Sequence, residues 1–153
     1  MHDARGGTVD DARNDAGVRM AMVLYVDDDD ALRDVVGTWL RRSGHVVHTA
    51  GSIAEAKRLV EAHDFDGAFI DVWLGDGTGF ELHGWLESHA PRLAKHAVFV
   101  TGDVVHPASE SGRLRALGRP VLAKPFLLGE LDPHVVRWSA AAGEGGVAGG
   151  DAS

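Results

Sequence analysis

The sequence predicts an α/β fold in which a parallel sheet is covered by helices on both faces. Strand-like apolar runs alternate with amphipathic helical patterns between residues 20 and 142, and this alternation is typical of parallel sheets. Four of the strands run into polar residues, at Asp27, Asp71, Thr101 and Lys124. Because the carboxyl ends of parallel strands meet at one edge of the sheet, these residues indicate a single site.

The first strand, Val23–Val26, leads into an amphipathic helix. Asp29 or Asp30 would cap the start of this helix, and Gly44 would end it just past the last turn. Its apolar residues recur at helical spacing, so we expect all of them to face the core: Leu32, Val35, Val36, Trp39 and Leu40.

The middle of the chain contains two helix-start signals. A strand His45–Thr49 precedes Ser52–Glu55, which has the pattern of a capping box. The third strand ends at Asp71. A second capping box, Thr78–Glu81, opens a helix that must end before Pro91.

The last third of the chain has weaker helical signals. Residues 104–117 contain a proline and a glycine, so we expect a short or frayed helix there. The fifth strand is Val121–Ala123. A turn at Phe126–Leu131 then precedes a final helix to about residue 141, with Asp132 as its cap and Pro133 in its first position.

The domain organisation follows from length and composition. The 153 residues are enough for one domain with a real core. Residues 1–19 and 143–153 are rich in glycine, aspartate and alanine without periodicity, which predicts disordered tails around a folded part of residues 20–142. Because the apolar pattern begins abruptly, Met20 or Met22 is a candidate for the true start of translation.

Composition also indicates the cellular compartment of the protein and excludes some classes of partner. The first residues contain no apolar stretch like that of a signal peptide, and the chain has no cysteine, so we expect a cytoplasmic protein. No apolar run approaches the length of a membrane span. A formal net charge of −8 argues against nucleic acid as a partner, since that would need a basic face.

The nine histidines do not form a convincing metal site. His45 and His48 lie three residues apart on a predicted strand, so they point to opposite faces of the sheet. We expect the histidines to be scattered over the surface.

The polar strand ends predict a particular chemistry. Asp27, Asp28 and Asp71 would form an oxygen-rich pocket that suits Mg²⁺. Thr101 and Lys124 would add donors for an anion, as phosphoryl transfer requires, and an aspartate can itself be the nucleophile. Each residue also has a simpler interpretation, in which the acids are a solvated first helical turn and Asp71 is a turn residue.

These motifs together resemble the receiver domain of bacterial two-component response regulators. The similarity extends over about residues 22–138. It implies a flavodoxin-like, doubly wound sheet of five parallel strands in the order 2-1-3-4-5. The motifs that carry it are Asp27-Asp28 after strand one, Asp71 with Leu74 and Gly79-Phe80-Glu81-Leu82, Thr101-Gly102 after strand four, and Lys124-Pro125-Phe126 after strand five.

The resemblance implies a role for each site residue. Asp71 would accept a phosphoryl group from a phosphohistidine on a histidine kinase or a histidine phosphotransfer protein. Mg²⁺ would be bound directly by Asp28, Asp71 and the backbone carbonyl of Trp73, and through water by Asp27. Thr101 and Lys124 would contact the phosphoryl oxygens, and the peptide bond between Lys124 and Pro125 would be cis.

Two residues depart from the family pattern. Val121 occupies the switch position at which many members carry an aromatic residue, so an aromatic switch is not available. Gly75 replaces a frequent proline, and we expect a more mobile loop after Asp71. The segment Gly118–Phe126 resembles receivers of hybrid histidine kinases, and the chain shows no output domain, which favours a stand-alone receiver acting on a protein target or in a phosphorelay.

Two other classes fit the residues less well. A phosphatase of the haloacid dehalogenase type needs a second aspartate two residues after the nucleophile, where this chain has Trp73. A flavin-binding module needs a phosphate-binding loop after the first strand, where four acidic residues would repel the phosphate of the cofactor.

Overall fold

The computed structural model describes residues 20–102 and 108–141. The predicted tails, 1–19 and 143–153, and the start of the weak helix at residues 103–107 lie outside these residues. The described part contains seven strands: β1 Met22–Val26, β2 Val46–Ala50, β3 Gly67–Asp71, β4 Trp73–Leu74, β5 Gly77–Thr78, β6 Ala97–Thr101 and β7 Val121–Ala123. Its helices are α1 Asp30–Arg42, α2 Ile53–Ala62, α3 Gly79–His89, α4 Pro91–Ala94, α5 Ala108–Leu117 and α6, residues 132–141, which comes after a 3-10 turn at Leu128–Leu131.

Five strands form one parallel sheet in the order β2-β1-β3-β6-β7. The predicted order is therefore confirmed, with β6 and β7 as the fourth and fifth strands of the prediction. The strands β4 and β5 form a separate antiparallel hairpin. None of the described helices is long and apolar enough to cross a bilayer.

The sheet has an apolar core on each face because successive side chains of a strand point to opposite sides. In β1, Leu24 and Val26 belong to one cluster, with side chains from α2 and α3. Val23 and Tyr25 belong to the other, with side chains from α1 and α6. A strand covered in this way reads as a continuous apolar run, which explains why the strands were visible in the sequence.

Helix α6 packs closely on the sheet because β3 begins with a glycine. A Cβ atom on Gly67 would lie 2.0 Å from Cδ2 of Trp138. The Trp138 indole instead occupies this space and packs against Phe69, with ring centroids 4.8 Å apart. The glycine therefore fixes how closely α6 approaches the middle of the sheet.

The predicted helix starts are confirmed, with one difference in detail. Asp29 caps α1 by accepting a hydrogen bond from the Leu32 amide at 3.1 Å, and Gly44 lies just after α1 with φ of 95°. Thr78 and Glu81 form a complete capping box at α3. Ser52 caps α2, but the Glu55 carboxylate accepts from the amide of Gly51 instead of that of Ser52.

Other expectations at the helices were wrong. Val35 is 48% exposed, because α1 packs on the sheet through Val36 and Leu40 and Val35 lies on its flank. Asp132 does not cap the last helix from outside but is its first residue. Its carboxylate accepts a hydrogen bond from Nε1 of Trp39 at 3.0 Å, which ties α6 to α1.

The histidines are not all on the surface, contrary to the prediction. His45 and His83 are 8% and 3% exposed. Nδ1 of His45 accepts a hydrogen bond from the Ala21 amide at 3.0 Å, and Nε2 of His83 lies 3.0 Å from the carbonyl oxygen of Ala94. Backbone partners allow both imidazoles to be buried.

Candidate functional site

The predicted site residues meet at the carboxyl edge of the sheet. Asp27 comes directly after β1, Asp71 ends β3, Thr101 ends β6, and Lys124 comes directly after β7. The parallel register aligns these four positions, since β1 pairs with β3, β3 with β6, and β6 with β7. The side chains of Asp27, Asp71 and Thr101 are buried.

Lys124 joins the two buried carboxylates. Its Nζ lies 2.8 Å from Oδ2 of Asp27 and 2.9 Å from Oδ2 of Asp71. Burial alone would lower the pKa of Lys124, but the hydrogen bonds to Asp27 and Asp71 outweigh burial and raise it. The lysine is therefore a firmly charged cation held between two acids.

Asp27 is fully buried and surrounded by donors. Besides Lys124, its Oδ2 accepts a hydrogen bond from the Tyr25 hydroxyl at 3.0 Å, and its Oδ1 accepts from the Asp29 amide at 3.0 Å. Burial, with Asp27 next in effect, raises the pKa of Tyr25, so the phenol stays protonated and donates. Both carboxylate oxygens of Asp27 therefore already accept hydrogen bonds.

Asp71 is buried, and both of its carboxylate oxygens accept hydrogen bonds. Burial raises its pKa to about 6, against the opposing hydrogen bond from Lys124. Its Oδ1 accepts a hydrogen bond from the Trp73 amide at 3.2 Å. The Asp71 carboxylate is thus held at both oxygens and is mainly ionised above about pH 6.

A glycine lets α3 begin beside Asp71. A Cβ atom on Gly79 would lie 2.4 Å from the Asp71 carbonyl oxygen. The Gly79 amide instead donates to the carbonyl of Val72 at 2.7 Å. This close approach fixes the backbone that carries Asp71.

The acidic residues at the site are also compatible with a metal ion. One carboxylate oxygen each from Asp27, Asp28 and Asp71 can be chosen so that all lie within 4.8 Å of one another. Asp28 is exposed, so a cation there would keep contact with water, as Mg²⁺ prefers. Among the described residues, this is the one cluster of acids and histidines with such geometry.

The remaining predicted residues lie around this cluster. Thr101 is bonded to the lysine through the backbone, since the Lys124 amide donates to the Thr101 carbonyl at 2.8 Å. The peptide bond between Lys124 and Pro125 is cis, as predicted. Val121 is 44% exposed at the start of β7, and the Trp73 side chain is 51% exposed beside Asp71. Metal binding by the Trp73 carbonyl stays a prediction.

Two residues at the site were not predicted from the sequence. The Tyr25 hydroxyl reaches Asp27 from inside β1. Nη1 of Arg33 donates to the Asp27 carbonyl at 2.6 Å, and Nη2 of the same side chain pairs with Asp30. The i, i+3 spacing of Asp30 and Arg33 on α1 was the one sequence signal for the second contact.

Comparison with known proteins identifies the family of this chain. Residues 23–135 match the family model of the response regulator receiver domain. The chain belongs to this family. The receiver domain therefore accounts for most of the described residues, from β1 to the middle of α6.

Curated relatives of this receiver domain are larger proteins. The transcriptional regulatory protein GltR of Pseudomonas aeruginosa is 30% identical over 112 residues, which are 71% of this chain and 45% of GltR. The response regulator protein PilR of the same species is 27% identical over 100 residues, which are 64% of this chain and 22% of PilR. The chain thus spans less than half the length of these relatives.

Solved structures of receiver domains share the architecture. A CheY-like receiver domain from Methanospirillum hungatei superposes with a TM-score of 0.70 at 25% identity, covering 82% of this chain and 97% of the other. Chemotaxis protein CheY4 of Vibrio cholerae gives a TM-score of 0.68 at 28% identity, covering 77% of this chain and 98% of CheY4. In both cases nearly the whole neighbour is matched, so the likeness concerns the complete receiver fold.

Proposed function

We propose that this receiver domain accepts a phosphoryl group on Asp71 from a phosphohistidine of a partner protein. One observation carries the proposal: Nζ of Lys124 lies within 2.9 Å of Asp71, at the edge where Asp27 and Asp28 supply further carboxylates. A buried nucleophile, a cation beside it and a metal-binding cluster are the groups that phosphoryl transfer uses.

The transfer step uses the ionised carboxylate of Asp71. A carboxylate oxygen attacks the phosphorus atom, so that a new P–O bond forms while the P–N bond to the imidazole breaks. The electron pair of the P–N bond leaves with the imidazole nitrogen, and the phosphoryl group remains as an acyl phosphate. Since the pKa of Asp71 is about 6, the nucleophile is mainly ionised at neutral pH.

A divalent cation would complete the site. Asp28, Asp71 and the Trp73 carbonyl would hold Mg²⁺ directly, with Asp27 behind a water molecule, and the ion would offset the negative charge of the transferred group. The oxygen donors and the exposure of Asp28 support this assignment.

Lys124 and Thr101 would hold the phosphorylated state. Phosphorylation would replace the single negative charge of the Asp71 carboxylate by about two negative charges on the phosphoryl oxygens, which Lys124 would help to neutralise. A shift of Thr101 toward the phosphoryl group would pull the segment after β6. Without an aromatic residue at Val121, we propose that loop motion alone reshapes a surface formed by α5, β7 and α6.

The partners can be inferred from this chemistry. The donor would be a histidine kinase or a histidine phosphotransfer protein, and the output would be binding of a protein target or onward transfer in a phosphorelay. We propose that residues 20–142 form a stand-alone phosphoacceptor domain that acts in the cytoplasm. In this proposal the domain assists its own phosphorylation and dephosphorylation and does not act as an enzyme on a separate substrate. A larger protein with an output domain, as in GltR, is the alternative arrangement.

The decisive experiment is intact-mass spectrometry after incubation with acetyl phosphate and Mg²⁺. Wild-type protein should gain one phosphoryl group, and Asp71→Asn should gain none. Asp64→Asn removes an exposed carboxylate elsewhere and is the matched control, which should be modified like wild type. Chelation of Mg²⁺ should abolish the gain.

Failure with every donor, including a histidine-phosphorylated protein, would contradict the proposal. Modification of Asp71→Asn at the wild-type rate would assign the phosphoryl group to another residue.

The proposed surface of α5, β7 and α6 is tested separately by adding a phosphoryl mimic and recording amide NMR shifts. Shifts should extend to β7 and α6, and confinement to the pocket would contradict the proposed surface.

A further inference from the structure

A second charged cavity lies at the opposite edge of the sheet. It has a volume of about 330 Å³, and its basic side chains are Lys95, His96, Arg119 and Arg137. We call these four residues with their cavity the basic cleft. Its other lining residues come from β6, the residue before β7 and the end of α6: Val98, Pro120, Trp138, Ala140 and Ala141.

The basic cleft is separate from the phosphoacceptor site. Lys95 and His96 precede β6, and Arg119 lies just before β7, whereas the site lies past the carboxyl ends of these strands. A strand of five residues, such as β6, spans roughly 15 Å. A ligand in the basic cleft would therefore not touch Asp71 or Lys124.

The positive charges of the basic cleft are not neutralised within the described part of the chain. No carboxylate there forms an ion pair with Lys95, Arg119 or Arg137. Nε of Arg119 donates to the Ala97 carbonyl at 3.1 Å, and Nη2 of Arg137 lies 2.7 Å from Nδ1 of His134. The Nη groups of Arg119 have no partner among the described residues.

The basic groups also lie close enough to affect one another. Burial, and then the charge of Arg137, lowers the pKa of Arg119. Burial, and then Arg119, lowers the pKa of His96. Arg119 is partly buried, while Lys95 and Arg137 are exposed. Clustered cations repel each other, so an anion placed between them would be favoured by all of them at once.

We propose that the basic cleft binds a small molecule that carries two or more phosphate groups. Arginine presents a planar fork of donors that matches phosphate oxygens, and three permanent cations suit a multivalent anion better than a single carboxylate. The volume is at the lower end of small-molecule pockets. Nucleic acid is disfavoured because the formal net charge of the chain is −8.

A neighbouring cavity offers room for the rest of such a ligand. It has a volume of about 510 Å³ and shares His96, Trp138 and Ala141 with the basic cleft. Its acidic wall includes Asp66, whose Oδ2 accepts a hydrogen bond from the Met22 amide at 2.7 Å. The phosphate groups should therefore stay on the side of Arg119 and Arg137.

The test is an NMR titration of the full chain without Mg²⁺, at constant ionic strength. The probes are sulfate, pyrophosphate, tripolyphosphate and ADP. Amides near Val98 and Ala140 should shift, while those of Gly102 and Lys124 should not, and tripolyphosphate should bind more tightly than sulfate. Tighter binding of ADP than of pyrophosphate would identify a nucleotide, and equal binding would identify the phosphate chain as the recognised part.

Variants at the cleft make the test specific. Arg119→Gln and Arg137→Gln should each weaken tripolyphosphate binding by about tenfold, since each removes charge-assisted hydrogen bonds. Arg58→Gln removes an exposed arginine on α2 and should leave the affinity unchanged. The amide spectrum of each variant verifies that it is folded. Equal binding of sulfate and tripolyphosphate, no shifts at millimolar probe, or full binding by both cleft variants would overturn the proposal.

Discussion

Tyr25 stabilises the site from within the core. Its side chain is fully buried, and its hydroxyl donates to Oδ2 of Asp27 at 3.0 Å. Removing the donor in Tyr25→Phe leaves a buried carboxylate with one fewer partner. We expect the free energy of unfolding, measured with urea, to fall by about 1–3 kcal/mol.

A double-mutant cycle separates this hydrogen bond from the packing of the ring. In an Asp27→Asn background the acceptor is neutral, so Tyr25→Phe should cost less than it does in wild type. An equal cost in both backgrounds would show that the hydroxyl does not act through Asp27.

His45 makes stability depend on pH. Burial lowers its pKa, and Asp132 opposes this only in part. The neutral imidazole accepts a hydrogen bond from the Ala21 amide at Nδ1. Below about pH 6.5 the unfolded chain binds a proton that the folded chain resists. The contribution of His45 is therefore complete above that pH and is lost as the pH falls toward the lowered value.

His45→Asn tests this dependence because asparagine keeps an acceptor but does not titrate. Between about pH 7.5 and pH 5.5 the loss of unfolding free energy should be smaller in the variant than in wild type. Urea denaturation at both pH values measures it. His48, His96 and His134, whose pKa values are also lowered, should still give the variant some dependence. If the variant loses as much unfolding free energy between these two pH values as wild type does, the role of His45 is refuted.

At the residue scale, the sequence predicted the polar residues at the strand ends better than the contacts made from inside the strands. Asp71 and Lys124 could be placed together because the carboxyl ends of parallel strands share an edge. Tyr25 could not, since a tyrosine inside an apolar strand gives no sign of its partner. Arg33 was missed because its contact with the site is made to the backbone carbonyl of Asp27, and side-chain patterns do not record such contacts.

Among the elements, the hairpin of β4 and β5 links the site to α2. Asp76, in its turn, accepts hydrogen bonds from the amides of Ile53 at 3.0 Å and Ala54 at 3.2 Å. These hydrogen bonds, chiefly the one from Ile53, lower the pKa of Asp76. The same hairpin begins with Trp73, whose amide holds Asp71, so one short element contacts both the nucleophile and a helix start.

Asp76→Ala should loosen this link. We expect the unfolding free energy to fall by about 1 kcal/mol, as for loss of a helix cap. In hydrogen exchange, the amides of Ile53 and Ala54 should lose protection. Ser52→Ala is the matched control, because it removes the cap at the Glu55 amide and leaves Asp76 in place. Unchanged exchange at Ile53 and Ala54 in Asp76→Ala would contradict the link.

The hairpin also shows where sequence patterns fail for elements. Strands of two residues have no periodicity, so Trp73–Leu74 and Gly77–Thr78 could not be predicted. The expected mobility at Gly75 stays a prediction, although Asp76 ties the turn to α2. Long elements such as α1 were predicted well. The prediction that Val35 faces the core was wrong, because the spacing of apolar residues does not determine which edge of the apolar face packs on the sheet.

At the scale of the whole molecule, the described residues contain an apolar core on each face of the sheet. The described members of both apolar clusters lie between Ala21 and Trp138, and the five strands of the sheet lie within the same range. The strand order came from the resemblance to receiver domains, since alternation alone does not distinguish orders of a parallel sheet. The family match over residues 23–135 agrees with these limits.

A shortened protein of residues 20–142 tests the proposed domain boundaries. Because every cluster residue is retained, its unfolding free energy should agree with that of the full chain to within about 0.5 kcal/mol. Acetyl phosphate should also modify Asp71 at the same rate in both, because the groups that surround Asp71 lie between Tyr25 and Lys124. Urea denaturation and intact-mass kinetics on the two proteins make the comparison. A loss of stability above about 1 kcal/mol would mean that residues 1–19 or 143–153 belong to the folded unit, and adding back each segment separately would identify which.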